Sequence, residues 1–423
     1  LNKAKESKKI LVTGPNANNQ SILGDWHAAQ PEENVTTIYE GIKELGESKG
    51  YDVVFHDSNE NIRKISNKDI QNTLKASKEM DYVVVVVGDN SMRYKWKDKT
   101  AGENMARADL NLAGKQLDLV RSLKEINNNV IVVYVNGKPI SEPWIQNNIP
   151  SIIEAWEPGN LGGKAVAEII FGDINPSGKL PLTVPRSVGQ LQMIYNHKPS
   201  QYFHKYAFEK NTPLYSFGYG LSYTKFNYSK PKLLNTNFDT NSIIKVQVDV
   251  TNTGDMDGDE VVQLYIRDKV SSVTRPVKEL KGYKRVHIKV GETKNVIFEI
   301  TPESLAFYDI DMNFVVEPGS FSIMTGSSSH FKSLKTIELT ILNKIEFAGN
   351  INRIRATQSR TLNSILNFGK MARLIENETI NGEKAYTLIE MMSDLKNGIW
   401  EELYTNKAIH VYRRNLQLAY LDR

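Results

Sequence analysis

The sequence has 423 residues, 40% of them hydrophobic and 24% charged, with a formal net charge of +4; that length holds two or three domains with full cores. It contains no cysteine, which excludes a disulfide framework, a cysteine nucleophile and thiolate metal sites. Lysine and arginine are interspersed with acids, and no apolar run approaches the ~20 residues of a membrane span, so neither a nucleic-acid footprint nor a membrane partner is read.

Residues 9 to 230 alternate strand and helix patterns. Strands are expected at Lys9–Thr13, Tyr51–Phe55, Val83–Val87, Val130–Val135 and Ser151–Ala155, and helices at Thr36–Lys49, Asp69–Lys78, Leu112–Ile126, Ile140–Asn147 and Leu161–Phe171, the last capped by Gly172. The strands are continuously apolar rather than alternating, which argues α/β: a mostly parallel sheet with helices on both faces. From Gly172 to Pro181 turn formers take over, and Ala207–Tyr228 is an aromatic, glycine-rich stretch expected as extended chain on the domain surface.

Residues 231 to 342 change class. Val246, Val248 and Val250 alternate with polar residues, further strand patterns cover Val261–Ile266, Val296–Ile300 and Phe321–Met324, and turn signals recur between them. This predicts an all-β antiparallel sandwich. Residues 343 to 423 carry helical periodicity at Met371–Glu376, Leu388–Leu403 and Ile409–Leu421, a small helical tail.

The stretch of greatest interest is Tyr82–Gln116. A buried-strand run of five valines ends at Gly88, and a polar loop of roughly twenty residues follows, long enough to be functional or mobile. It leaves the carboxyl end of a parallel strand, where open α/β sheets place their ligands. Within it Glu103 stands between small residues, with Arg93, Arg107 and Asp109 nearby; a solvated loop with idle charges is the alternative. Gly14–Asn19 occupies the position of a phosphate loop but lacks the G-x-G-x-x-G spacing, so a nucleotide-binding reading is weak. The seven histidines are dispersed without H-E-x-x-H, so no metal site is read, and no G-x-S-x-G elbow occurs. Carboxylates with the aromatics Trp26, Trp96 and Trp156 remain, a combination suited to sugar rings and hydroxyls, although for any one tryptophan burial in the core is the commoner role.

Several motifs resemble glycoside hydrolase family 3, the β-glucosidase and β-xylosidase group. They are ILVTGPNANN with LGDW within Ile10–Trp26, VTTIYEGIK at Val35–Lys43, TAGENMARADLNLAGKQ at Thr100–Gln116, VNGKPI at Val135–Ile140, the run Glu154–Gln190, YNHKPS at Tyr195–Ser200 and PLYSFGYGLSYTKF at Pro213–Phe226. Residues Val250–Asp268, Arg275–Val286 and Val316–Ile323 carry the fibronectin type III-like signature of the same family. The resemblance implies a (β/α)8 barrel preceding this α/β domain (residues 1–230), then the fibronectin-like sandwich (231–342). The active site would lie between barrel and α/β domain, the barrel giving an aspartate nucleophile and the loop giving the acid/base glutamate. Glu103 in TAGEN matches that glutamate, and Asp89 and Arg93 are expected to bind substrate or orient the loop.

A retaining glycosidase needs two carboxyl groups ~5 Å apart, one attacking and one donating then accepting a proton, and burial beneath sugar and barrel is expected to suit Glu103 to the second task. No barrel is present in the sequence, which begins at Leu1 without a signal peptide. Asp25 lies in the domain's own GDW motif and is not expected to replace the nucleophile. The chain is therefore expected to be the acid/base part of a β-glycosidase, acting on a β-linked oligosaccharide or glycoside without cofactor, and inactive without its barrel. A non-catalytic carbohydrate-binding or scaffold module is the alternative. Many bacterial relatives act in the periplasm or outside the cell, so the same placement is expected. The tail from about Lys370 resembles the extreme C-terminus of large bacterial zinc-dependent metalloproteases, without zinc ligands, as a fusion or misassembly would leave it; an unrelated helical appendage is equally open.

Overall fold

The computed structural model describes residues 8–200, 205–236 and 238–342, together with 379–380 and 383–384. The first domain is a five-stranded sheet of order β2-β1-β3-β4-β5, with β1 at Lys8–Thr13, β2 at Tyr51–His56, β3 at Tyr82–Gly88, β4 at Val130–Val135 and β5 at Ser151–Glu154. Every pairing is parallel. Helices α1 (Ile38–Ser48), α2 (Asn67–Ser77), α3 (Gln116–Ile126), α4 (Pro143–Asn148) and α5 (Gly162–Phe171) connect the strands.

The valine-rich strands feed two cores at once, because successive side chains point to opposite faces. Ile10, Val12, Val84, Val86 and Val133 pack with Ile38 and Ile42 of α1 and with Val166, Ile170 and Phe171 of α5. Leu11, Val83, Val85, Val87 and Val132 pack with Ile70 of α2, Leu119 and Leu123 of α3 and Ile145 of α4. Helices cover both faces, as expected. α1 opens with a capping box between Thr37 and Glu40. It meets α5 at two glycines: a Cβ on Gly163 would lie 1.9 Å from the Thr37 carbonyl oxygen.

Two helices begin three or four residues later than the sequence pattern indicated. α3 starts at Gln116, not Leu112, because Gly114 takes φ +62° and closes a turn against Ile62. α4 starts at Pro143, not Ile140, with the proline in the first turn where its missing N–H goes unneeded. α5 ends as expected, on Gly172 at φ +78°.

The second domain is a β-sandwich, antiparallel apart from a short edge strand at Phe238–Asp239 that pairs in parallel. One sheet joins β6 (Phe226–Tyr228) and β7 (Lys232–Leu233) to β9 (Ile244–Asn252), which pairs with β12 (Thr293–Ile300). The other runs β11-β10-β15-β16-β8, formed by β8 (Phe238–Asp239), β10 (Gly258–Asp268), β11 (Glu279–Ile288), β15 (Gly319–Gly326) and β16 (Leu334–Leu342), while β13 (Phe307–Tyr308) and β14 (Phe314–Val315) make a small hairpin. Val246, Val248 and Val250 meet Val262, Leu264, Phe298 and Ile323 in its core. β6 lies before residue 230 in the chain yet belongs to this sheet, through its pairing with β9.

Between the two domains, the described residues of 173–225 carry no strand or α-helix, only a 3-10 turn at residues 199–200 and one bridge, Val184 to Tyr215. Lys179 crosses from this strap to Glu260 at 3.0 Å, and Tyr228 Oη donates to the same carboxylate at 2.6 Å. Residues 379–380 pair with 383–384; the helical stretches expected at Met371–Glu376, Leu388–Leu403 and Ile409–Leu421 lie outside the described residues. No helix among the described residues is long and apolar enough to cross a membrane.

Candidate active site

The chain order reverses between β1 and β3, which are neighbours in the sheet, and such a switch point opens a crevice at the carboxyl ends of its strands. Two long loops leave that edge, residues 14–37 after β1 and 89–115 after β3. They are tied together at their roots: Asn16 donates to the Asp89 carbonyl at 2.7 Å, and its N–H reaches the Val86 carbonyl at 3.3 Å. Gln116, fully buried at the start of α3, closes the end of β3 by exchanging hydrogen bonds with both the N–H and the C=O of Gly88, each 2.8 Å.

Beyond Gly88 the loop folds back on itself. The Thr100 N–H donates to the Asn90 carbonyl at 2.8 Å while Thr100 Oγ1 accepts from the Asn90 N–H at 2.9 Å. Asp89 is 4% exposed. Its Oδ1 accepts from Thr100 Oγ1 and Arg107 Nη1, both at 3.1 Å. Lys138 Nζ lies 3.1 Å from Oδ2 but off the line of a hydrogen bond, so that contact is a charge pair. The Asp89 carboxylate faces protein, and Arg107 continues from it to Asp109 at 2.6 Å and the Asn111 carbonyl at 2.9 Å.

Glu103 sits at the outer end of the loop, its side chain 42% exposed. Arg93, from a helical turn spanning Arg93–Asp98, donates to Glu103 Oε2 at 2.7 Å and lies 3.6 Å from Asp25 Oδ1. The structure therefore brings two of the expected residues, Arg93 and Glu103, into direct contact, while Asp89 pairs with Thr100, Arg107 and Lys138. Trp26 and Trp96 join them. The Arg93 guanidinium stacks 3.7 Å above the Trp26 ring and 5.9 Å from that of Trp96, in cation–π range. Both indoles are exposed, Trp26 at 70% and Trp96 at 45%, so the site is an open face with two aromatic surfaces beside a carboxylate. Trp156 is placed apart from this pair: it has φ +54° after β5 and donates its N–H to Glu154 at 3.2 Å.

Sequence reasoning did not assign Asp25 and Lys99 to the site. The Glu103 N–H donates to Asp25 Oδ2 at 2.6 Å, and the Lys99 ammonium reaches the same oxygen at 3.1 Å. Burial pushes the Asp25 carboxyl up, but the N–H groups of Glu103 and Trp26 and the Lys99 ammonium outweigh it and hold it below the usual carboxylate range. Asp25 belongs to the GDW motif and Lys99 stands one residue before TAGEN, so both were adjacent to flagged motifs. Arg63 adds an anchor from outside the loop, with its Nε and Nη2 both on the Lys99 carbonyl, the first at 3.0 Å. Among the described residues no cluster of three or more histidines, cysteines or acids has metal-binding geometry.

Comparison with known proteins gives this arrangement a context. Residues 1–223 match the model described as glycosyl hydrolase family 3 C-terminal domain, and residues 260–329 match a fibronectin type III-like domain. A Met-zincin model matches residues 327–407, weak support for the protease-like tail. A β-xylosidase of Formosa agariphila is 41% identical over 351 residues, covering 79% of this chain and 46% of its own length. A periplasmic β-glucosidase of Salmonella typhimurium is 35% identical over 354 residues, 77% of this chain and 45% of the relative. The solved structure of a β-glucosidase from Erythrobacter marinus superposes with a TM-score of 0.72 at 34% identity, over 81% of this chain and 47% of that one. The chain thus spans less than half the length of these curated relatives. With more than half of its residues matched by the family 3 model, and with the parallel sheet and the sandwich in the expected order, the chain belongs to glycosyl hydrolase family 3.

Proposed function

We propose that this chain provides the acid/base half of a retaining β-glycosidase site, with Glu103 as the proton donor and acceptor. The observation that carries the reading is the seating of Glu103: its backbone is fixed from below while its carboxylate stands at the open face beside Arg93 and the exposed Trp26. In such a site one carboxyl group attacks the anomeric carbon and the other protonates the leaving oxygen, then takes a proton from water. The leaving-group oxygen would approach the carboxyl of Glu103, which has to release Arg93 to act as a donor. Arg93 then remains between Asp25 and the substrate, available to the sugar hydroxyls.

Asp25, whose carboxylate takes the Glu103 N–H, is a poor nucleophile. Oδ2 accepts from Glu103 N–H and Lys99, Oδ1 accepts from Trp26 N–H at 2.8 Å, and the side chain is 13% exposed. The attacking carboxylate is therefore expected on a (β/α)8 barrel domain that this sequence does not include. The names of the relatives support β-xylosides and β-glucosides as substrates, and that of the Salmonella protein supports action outside the cytoplasm.

The exposed Trp26 and Trp96 also favour a second reading, a sugar-binding module without catalysis. Hydrolysis separates the two. The full chain is mixed with the unmatched remainder of the Formosa agariphila β-xylosidase and offered aryl β-xyloside and β-glucoside. Hydrolysis only in the mixture, lost in Glu103→Gln, supports the split site. Sugar binding without hydrolysis in any mixture favours the module, and hydrolysis by the chain alone would place a nucleophile within these residues and overturn the assignment.

A further inference from the structure

One buried ion pair holds the Glu103 peptide at both ends. The N–H donates to Asp25 Oδ2 at 2.6 Å, and the C=O accepts from Lys99 Nζ at 3.2 Å, while Lys99 Nζ and Asp25 Oδ2 lie 3.1 Å apart. The Lys99 side chain is 0% exposed. A lysine ammonium stripped of water is kept only where its charge is compensated. Here the Asp25 carboxylate, the Glu103 carbonyl and the face of Trp96, 4.7 Å away, supply that compensation.

The loop is shaped to the pair. Gly102 and Asn104, on either side of Glu103, take φ +93° and +58°, a left-handed turn that the chain adopts at a cost. A Cβ on Gly102 would lie 2.4 Å from Asp25 Oδ2 and 3.1 Å from Lys99 Nζ. The loop backbone thus rests on the two charged groups with no room for a side chain. Lys99 is itself fixed from behind, since its carbonyl takes the Arg63 guanidinium. Asp25 is fixed by the Trp26 N–H at 2.8 Å. Asp25 comes from the loop after β1, 78 residues from Glu103, so the seat forms only when the two loops of the switch point come together.

We infer that Asp25 and Lys99 are positioning residues for Glu103, fixing its peptide so that the carboxyl is presented to the leaving-group oxygen. This rests on the acid/base reading of Glu103, and the pair acts through that residue without touching substrate. General acid assistance contributes most where the leaving group is poor, because an activated phenolate departs without a proton. In the glycosylation step, read by kcat/KM, loss of positioning therefore falls on poor leaving groups, whereas general damage to the fold reduces all substrates alike.

The test uses Asp25→Ala and Lys99→Met in the full chain, with Glu103→Gln as reference. Hydrogen exchange on the chain alone reads the seat: the Glu103 amide is expected to exchange at least about tenfold faster in Asp25→Ala, with the amides of β3 and β4 unchanged. Kinetics in the complemented mixture read the consequence: kcat/KM, which reports the glycosylation step, should fall about 10–100-fold for an alkyl β-glycoside and far less for a dinitrophenyl glycoside. Unchanged exchange at Glu103, or equal loss of kcat/KM on both substrates, overturns the proposal. If Glu103→Gln spares the alkyl substrate, the acid/base reading falls instead, and the exchange arm still decides whether the seat exists. Should Asp25→Ala fail to fold, Asp25→Asn keeps an acceptor and removes the charge facing Lys99; it should give intermediate exchange, and wild-type exchange there counts against the pair.

Discussion

Arg93 Nη1 stands 2.7 Å from Glu103 Oε2, joining two residues of one loop into an ion pair at the open face of the domain. Both side chains keep solvent contact, 28% for Arg93 and 42% for Glu103, and such pairs contribute about 0–1 kcal/mol to stability. Glu103→Gln should therefore leave the unfolding free energy almost unchanged, within about 0.5 kcal/mol. In the complemented mixture the same change should lower kcat on an alkyl β-glycoside by about 10²–10⁴-fold. Small nucleophiles such as azide should restore turnover of an activated aryl glycoside, as they do not need a base to attack. Steady-state kinetics beside a thermal melt checks both halves; a large stability loss with modest kinetic loss would assign Glu103 to structure.

The contact of α1 with α5 is set by backbone, not by side chains. A Cβ on Gly163 would meet the Thr37 carbonyl oxygen at 1.9 Å, and one on Gly41 would meet Gly163 itself at 2.2 Å. Gly163→Ala has to push the helices apart and disturb the Thr37 cap and the core around Ile42 and Val166. The expected cost is about 3 kcal/mol or more. Gly178→Ala is the control, because nothing lies within 4 Å of its Cβ position, and it should stay within about 0.5 kcal/mol. Urea unfolding of the three chains measures the difference.

The contrast between what the sequence disclosed and what it hid has a physical origin. Strands β1, β3 and β4 were legible because a buried parallel strand must be apolar on both faces, and the run Val83–Val87 meets that demand residue by residue. The loop after Gly88 was legible by its length and polarity, and Glu103 by its place in TAGEN. The starts of α3 and α4 were not, since Leu112 and Ile140 are apolar residues serving the core from outside the helices. β11 was passed over as a strand because Glu279–Ile288 is largely solvated and carries little apolar alternation. Asp25, Lys99 and Asn16 were invisible for a different reason. Their roles are contacts to residues 73–78 positions distant, and no local pattern records which distant peptide a carboxylate will meet.

A buried charge pair ties the strap to the second domain. Lys179 Nζ lies 3.0 Å from Glu260 Oε2, with side chains 10% and 3% exposed, and Tyr228 Oη takes the other carboxylate oxygen at 2.6 Å. Removing one partner leaves the other charge buried and unpaired. Lys179→Met should destabilise the chain by about 3–5 kcal/mol. Adding Glu260→Gln should recover much of that loss, since the carboxylate no longer needs an ammonium. A double-mutant cycle by urea unfolding gives the coupling; additive losses would show that the pair does not operate as a unit.

Glu154, at the end of β5, ties stability to pH. Burial pushes its carboxyl from the ordinary 4.5 up to about 8, against the opposing pull of the Trp156 N–H, Asn136 and Lys138. The folded chain thus keeps this proton over a range where the unfolded chain has already released it. Protonation there stabilises the fold fully below pH 4.5, and the contribution drains away as pH rises towards about 8. Glu154→Gln mimics the neutral acid and should remove that slope. Its melting temperature should match the parent near pH 4.5 and exceed it above pH 8 by on the order of 5–10 °C, the residue's partial contact with solvent setting the lower end. Asp268 is pushed up to about 6, also by burial, and contributes a slope of the same sign at lower pH. Because both chains carry it, it cancels in the difference between them. Paired melts from pH 4 to pH 9 therefore isolate Glu154, and parallel curves for parent and variant would mean that its carboxyl ionises in the folded chain as freely as in the unfolded one.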